Sequence, residues 1–332
     1  MTTEIKATRG QRNAVDVTRP YACFIEEERA ELGERVFVAT LFLTNRQCPW
    51  RCLYCDLWKN TTTETVPLGA VPAQIDFALT QLAAESCSQI KLYNAGSFFD
   101  PKAIPPEDFP AIAERVRGFE RVIVECHPAL VGASALRFRD LLSHSALRAP
   151  HSALDQSLVT STATRLEVAM GLEIADDEIL AKLNKRMTLA MFHRAAEFLT
   201  SHGIAMRAFV MVKPPFVRTE ADGLEFARRS IDFAFECGAG VVSVIPARFG
   251  PEALDELAAH GDFAPPSLAT LEAALDYGVS LGRGRVLADL WDAEMLSKCP
   301  DCFPARRQRL AKINFNQAAE PSVSCPCVCI PS

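Results

Sequence analysis

Val36-Phe-Val-Ala-Thr-Leu-Phe-Leu43 is followed, after four residues, by Cys48-Pro-Trp-Arg-Cys52-Leu-Tyr-Cys55. The first segment is a continuous apolar run, the pattern of a strand buried on both faces of a parallel sheet. The second places three thiols within eight residues at the exit of that strand. Soft, sulfide-bound iron prefers thiolates, and a [4Fe-4S] cluster normally takes one Cys for each iron. Three local thiols on one cluster leave one iron open, and that is where chemistry can happen. Zinc is the competing ligand, but a tetrahedral site needs a fourth group that this loop does not supply. Three clustered thiols serving only as small core residues would be unusual at a strand exit.

Outward from this loop the chain alternates strands and helices. Strands are expected at 36–43, 89–94, 121–127, 165–172, 205–212 and 240–245, with a short seventh strand or extended segment at 285–291. Helices are expected at 72–85, 110–117, 134–142, from Asp176, at 188–202 with Gly203 as its stop, from Thr219 to Cys237, and within 251–282. Thr219 and Asp222 form a capped start. This alternation predicts an α/β fold: a partial parallel (β/α)6 TIM-like barrel over residues 31–290, followed by a small Cys-rich C-terminal extension, 291–332. Residues 1–30 read as a polar lead-in packed over the barrel bottom, with helical propensity in Glu26-Glu-Glu-Arg-Ala-Glu31. In such barrels the reactive side is the C-terminal ends of the strands. Asn94 to Ser97, Glu125, His127, Glu173, Lys213 and Pro246 to Arg248 then share a rim with the thiol loop. Glu125 and His127, two residues apart, fall on one face of their strand. A strand-end His is more often a hydrogen-bonded structural residue than a substrate contact.

The spacing Cys48-x3-Cys52-x2-Cys55, with Tyr54 before the third thiol, resembles the signature of the radical S-adenosylmethionine (radical SAM) superfamily. The resemblance implies that SAM chelates the open iron through its amino and carboxylate groups. It also implies that the reduced cluster cleaves SAM to a 5'-deoxyadenosyl radical, which takes a hydrogen atom from a substrate. A reducing partner of flavodoxin or ferredoxin type follows. Asn94-Ala95-Gly96 stands where the family carries a glycine-rich turn at the SAM amino group and departs from its usual sequence; its contact would run through main-chain groups. Glu173 stands at a position that often meets the SAM ribose or amino end. The stretch Ile179 to Phe192 is similar to the branch holding the Elongator catalytic subunit, methylthiotransferases and the radical SAM subunit of archaeosine synthase. There a cation at the place of Lys185 pairs with the SAM carboxylate; the competing reading is a solvated lysine at a helix end. Likeness to the archaeosine synthase subunit lies in Lys91 to Asp100, at Glu125 and in Val212-Lys-Pro-Pro-Phe216, so a tRNA-modifying enzyme is an alternative.

The tail adds Cys299-Pro-Asp-Cys302 and, 22 residues later, Cys325-Pro-Cys327-Val-Cys329. Four thiolates would close a structural Zn2+ site of ribbon type, whereas five offer enough for a second, auxiliary Fe-S cluster. Binding of a thiophilic substrate such as a trivalent metalloid, redox exchange, or no ligand at all complete the alternatives. Cys23, Cys87, Cys126 and Cys237 read as core thiols.

Composition sets the outer limits. With 332 residues, 49% of them hydrophobic, the chain can bury a large core. No apolar run reaches a membrane span and the start lacks a secretory h-region, so a cytoplasmic, reducing location is expected, with twelve cysteines serving as ligands and core residues rather than disulfides. A net charge of -6 provides no basic field for nucleic acid, which counts against tRNA. The local basic runs, Arg228-Arg229 and Ala305-Arg-Arg-Gln-Arg-Leu-Ala-Lys312, read as solvated helix faces more readily than as phosphate grips. A non-enzymatic iron-sulfur or zinc protein for electron transfer or binding is the reading from another class.

Overall fold

The computed structural model describes residues 10–143 and 164–325. Cys327, Cys329, His144 and His151 lie outside the described residues. Eight strands, β1 Ala22–Arg29, β2 Arg35–Leu43, β3 Gln89–Asn94, β4 Arg121–Glu125, β5 Arg165–Glu173, β6 Ala205–Val212, β7 Val241–Pro246 and β8 Arg285–Ala288, form one sheet in chain order. All neighbours from β2 to β8 are parallel. The helices are α1 Ala70–Leu82, α2 Phe109–Val116, α3 Ala133–Ser143, α4 Asp177–Lys182, α5 Leu189–Ser201, α6 Glu220–Glu236, α7 Glu252–Ala259, α8 Leu268–Ser280 and α9 Phe303–Asn316.

The predicted strands and helices are present, with caps where the sequence places them. The side chains of Asp176, Thr188 and Thr219 accept the backbone N–H of Ile179, Met191 and Asp222. Gly203 takes the left-handed conformation at φ 68° just after α5.

The N-terminal segment differs from expectation. Residues 22–29 form a strand that pairs antiparallel with β2 from Arg35 to Phe42, with Ala22 opposite Phe42 and Arg29 opposite Arg35. The helical propensity of Glu26 to Arg29 loses to tertiary pairing, because alternate carboxylates on β1 meet buried cations. Glu28 contacts Arg207 of β6 at 3.1 Å, and both Glu26 and Glu28 contact Lys91 of β3. A side chain on β1 reaches β6 across the interior only because the sheet curls into a half-barrel.

Alternate residues of the strands stack inside this half-barrel in layers. At the base, Glu167 binds Arg121 at 2.5 Å and Arg207 at 2.8 Å, completing a lattice with Glu28 and Lys91. Burial alone would raise the Glu28 and Glu167 carboxyls, but these cations hold both below their ordinary values. Above the base runs an aromatic band, Phe24, Phe42, Tyr93 and Phe209, with successive ring centroids 5.9, 6.0 and 6.0 Å apart. The lumen left over measures about 1160 Å3. Outside the sheet, α1 to α3, α5, α6 and α8 cover its apolar outer face in one continuous core.

Helix α9 closes the seam between β8 and β1. Gln317 both accepts from the N–H and donates to the carbonyl of Val286, and Asn314 does the same for Ala288. Two side-chain amides thus satisfy the edge of β8 as a further strand would. On the other side Arg29 donates to the carbonyls of Phe315 and Asn316, both at 2.9 Å. Arg306 and Arg309, from the basic run of the tail, bind Glu272 and Asp276 of α8. They therefore clamp α9 inside the molecule.

Candidate functional site

Strand β2 delivers the thiol loop to the mouth of the barrel, where neighbouring segments brace it. Gln47 N–H donates to Thr62 O and Thr62 N–H to Asn45 O, tying the loop's entry to the segment beyond it. Leu53 N–H donates to Leu183 O at 3.1 Å, and the Asn184 amide donates to Arg51 O at 2.6 Å. Trp58, in a short turn of helix after the loop, is buried.

A cavity of about 120 Å3 lies behind this loop, walled by Cys48, Cys52 and Cys55 together with Ala95, Gly96, Glu125, His127, Glu173 and Lys185. Asn94, the last residue of β3, is buried beside it. The turn after β3 fits closely against the first thiol. Gly96 has φ 131°, and a Cβ there would stand 3.2 Å from the Cβ of Cys48. Cys126 also lines the cavity, with its thiol donating to its neighbour's carbonyl, His127 O, at 3.2 Å. Burial and the neighbouring thiols push Cys55 up to about 12, and Cys48 and Cys52 both contribute, so the three sulfurs sense one another. Three thiols converging on a glycine-floored cavity fit a thiolate-held iron-sulfur cluster with one iron open.

Across the cavity Lys185 binds Glu173 at 2.6 Å, with side chains 11% and 10% exposed. Lys185 is therefore no solvated helix-end lysine. Its ammonium also lies 5.9 Å from the Tyr54 ring centroid, inside the thiol loop. The backbone places the pair at a local cost. Glu173 (φ 65°), Asn184 (φ 56°) and Arg186 (φ 57°) are left-handed residues other than glycine, each costing about 1–2 kcal/mol. The β5–β6 register shifts between Gly171 and Glu173. Gly171 leaves room for the pair: a Cβ there would fall 2.3 Å from Glu173 Oε1 and 2.6 Å from Lys185 Nζ, so both side-chain ends would have to move.

Glu125 and His127 both face the cavity, with different environments. Burial pushes the Glu125 carboxyl up to about 8, and the charge of Glu173 adds to this while Lys185 opposes it. Burial and the Lys185 cation hold His127 down, near 4. Its Nδ1 accepts from Ala129 N–H and its Nε2 donates to Lys185 O at 3.1 Å, so the ring is neutral and fully paired. Trp50 stacks on it with centroids 3.9 Å apart and planes 16° apart. The sequence reading missed Trp50; its place between Cys48 and Cys52 was the available signal.

Lys213 does not join the mouth. Its ammonium binds Glu220 at 2.7 Å, anchoring α6. Arg248 lines the lumen and binds Asp289 at 2.8 Å, while its Nε and Nη2 make no hydrogen bond to the described residues. The hydroxyl of Tyr21, another lumen residue missed in the sequence, is likewise buried without a hydrogen-bond partner among the described residues.

In the tail, the thiols of Cys299, Cys302 and Cys325 all lie within 4.8 Å of one another. No described helix is long and apolar enough to cross a membrane.

No family model matches the chain. Archaeosine synthase subunit beta of Methanosarcina acetivorans is 26% identical over 210 residues, 61% of this chain and 55% of that protein. Archaeosine synthase subunit beta of Thermococcus kodakarensis is 29% identical over 147 residues, 43% of this chain and 39% of that one. This chain thus spans about half the length, or less, of these two relatives. Both relatives carry the name of the subunit that the sequence resembles. A solved structure of SuiB from Streptococcus suis, bound to S-adenosylmethionine, aligns with a TM-score of 0.49 at 12% identity, covering 81% of this chain and 51% of that one.

Proposed function

We propose that this chain is a radical SAM enzyme in which Cys48, Cys52 and Cys55 hold a [4Fe-4S] cluster, SAM lies across the barrel mouth, and a substrate in the lumen loses a hydrogen atom. The observation that carries this reading is convergence. Three stretches far apart in sequence, around Cys48, around Ala95 and from Glu173 to Lys185, wall one cavity. When bound, the cluster and SAM together supply a 5'-deoxyadenosyl radical. The residues of the chain bind, orient and exclude water. Lys185, a point charge with three donors, suits the SAM carboxylate, and Glu173 suits its amino group or ribose. Their ion pair positions both before a ligand arrives, and Gly171 keeps the space beside the pair clear. The turn Asn94-Ala95-Gly96 offers main-chain groups at the opposite wall. The aromatic band and the paired base keep the lumen dry around the substrate, whose polar contacts would include Arg248 and Tyr21. An electron donor of flavodoxin or ferredoxin type completes the system.

The test is anaerobic reconstitution, reduction with dithionite and addition of SAM. About four irons per chain and 5'-deoxyadenosine formed by the parent but not by the Cys48→Ala, Cys52→Ala, Cys55→Ala variant are expected. Folded protein that binds iron yet forms no nucleoside would instead be an electron carrier. A tRNA-modifying enzyme is the second reading, supported by the two relatives named archaeosine synthase subunit beta. It requires salt-sensitive tRNA binding, because each neutralised phosphate releases counterions. No binding at low salt would remove it.

A further inference from the structure

We infer that Cys299, Cys302 and Cys325 form a site for a single thiophilic ion, and that this ion locks the returning tail onto the helix that seals the barrel. The three sulfurs lie within 4.8 Å of one another, and Cys302 and Cys325 stand 3.0 Å apart. Thiolates sharing one tetrahedral ion, with metal–sulfur bonds of about 2.3 Å, stand about 3.8 Å apart. Thiolates on different irons of a [4Fe-4S] cluster point away from separate corners and stand further apart than ligands of one ion. With every separation below 4.8 Å the tail trio is nearer the spacing of a mononuclear site than that of a cluster, and an ion would move the Cys302 and Cys325 sulfurs slightly apart.

The surrounding structure holds the trio in place. Ser297 Oγ accepts from Cys299 N–H and donates to Cys299 O, shaping the knuckle that carries the first two thiols. Cys302 is the N-cap of α9, so its sulfur sits at the positive end of a 14-residue helix. Cys299 and Cys302 are 4% and 7% exposed. After α9 the chain turns back at Gln317, at φ 51°. Arg309 then holds the carbonyls of Glu320 and Pro321 at 2.9–3.1 Å, which returns Cys325 to the start of the helix. Arg306, paired with Glu272 of α8, donates its backbone N–H to Cys302 O at 3.1 Å and so ties the first turn of α9 to the knuckle.

An ion at this point closes a loop through α9, the element whose Asn314 and Gln317 satisfy the edge of β8. Thiolates select soft partners, so the ligand class is a thiophilic ion. Two sources share that chemistry: Zn2+, which takes a fourth ligand from outside the trio, and a trivalent metalloid, which three thiolates saturate.

The test uses the full chain with Cys48, Cys52 and Cys55 changed to Ala, so its outcome is independent of the radical SAM reading. Reduced, metal-free protein is incubated anaerobically with zinc chloride, with sodium arsenite, or with ferrous iron and sulfide, then desalted and assayed. The expected result is about one zinc or one arsenic per chain without acid-labile sulfide, with a raised melting temperature and slower tryptic release of the tail. Adding Cys302→Ser should weaken retention at least about 100-fold, a loss of about 2.7 kcal/mol. Cys325→Ser, outside α9, should do the same if the helix variant fails to fold, whereas Cys237→Ser should have no effect. Retained zinc identifies a structural staple; retained arsenic without zinc identifies a metalloid site. Retention of about four irons with matching sulfide, or of no ion by folded protein, overturns the inference.

Discussion

The base and the mouth of the half-barrel both contain buried cations beside carboxylates, but the base pairs its cations with several carboxylates and, among the described residues, leaves a single guanidinium nitrogen, Arg121 Nε, without a hydrogen bond. At the base Arg207 contacts Glu28 and Glu167, Glu167 contacts Arg121, and Lys91 contacts Glu28 and Glu26. At the mouth one pair, Lys185 with Glu173, stands beside a carboxyl raised by burial and next to left-handed backbone. Below the mouth, two Arg248 nitrogens and the Tyr21 hydroxyl are buried without a hydrogen-bond partner among the described residues. Buried charge that is fully compensated serves structure, whereas polar groups held in place but not satisfied await a ligand. The same residue types thus close one end of the barrel and equip the other.

The largest effect should come from breaking the base. Arg207→Met leaves Glu28 and Glu167 short of their shared cation and should cost about 3–5 kcal/mol, read as a fall in the urea midpoint. Gly171→Ala tests the mouth, where its Cβ forces Glu173 and Lys185 apart. It should weaken SAM binding at least about tenfold, about 1.4 kcal/mol, with a smaller change in urea midpoint than Arg207→Met. Equal losses of stability in the two variants would erase the distinction drawn between the two ends.

Effects on stability smaller than the loss at the base should appear at the seam. Asn314→Ala and Gln317→Ala each remove two hydrogen bonds from the edge of β8 and should each cost about 1–3 kcal/mol. Faster amide exchange at Val286 and Ala288 would locate the loss; unchanged exchange there would show that α9 does not protect the edge.

The pH dependence of the mouth is a further test of the comparison. Glu125 is raised to about 8 in the fold, so between its unfolded value near 4.5 and pH 8 the folded state binds more protons and stability falls as pH rises. His127, lowered to about 4, has the opposite sign: stability falls as pH drops from its ordinary value near 6.5 towards 4. The melting temperature of Glu125→Gln relative to the parent should therefore climb from pH 5 to pH 8. A flat difference would mean that Glu125 is already ionised at neutral pH.

The thiol loop and much of the mouth could be read in the sequence because their signals are local. A thiol spacing, an apolar run and a Thr or Asp before a helix act over a few residues, and short-range sterics and ligand chemistry decide them. Residues 89–94 and 205–212 are strands with the predicted bounds. Cys48, Cys52, Cys55, Ala95, Gly96, Glu173 and Lys185 share one cavity as expected from their strand ends. The rest depends on partners that local pattern cannot supply. Arg207 and Glu28 are 179 residues apart in sequence, and Arg309 looks in sequence like any other member of a basic run, although in the fold it grips Asp276 and turns the tail. Glu26 to Arg29 have helix-forming residues, but antiparallel pairing with β2 and the buried cations of β3 and β6 make them a strand. Alternation along a strand tells which residues share a face; curling the sheet decides which of those faces meet, because only then do charges on distant strands come within reach and leave water together.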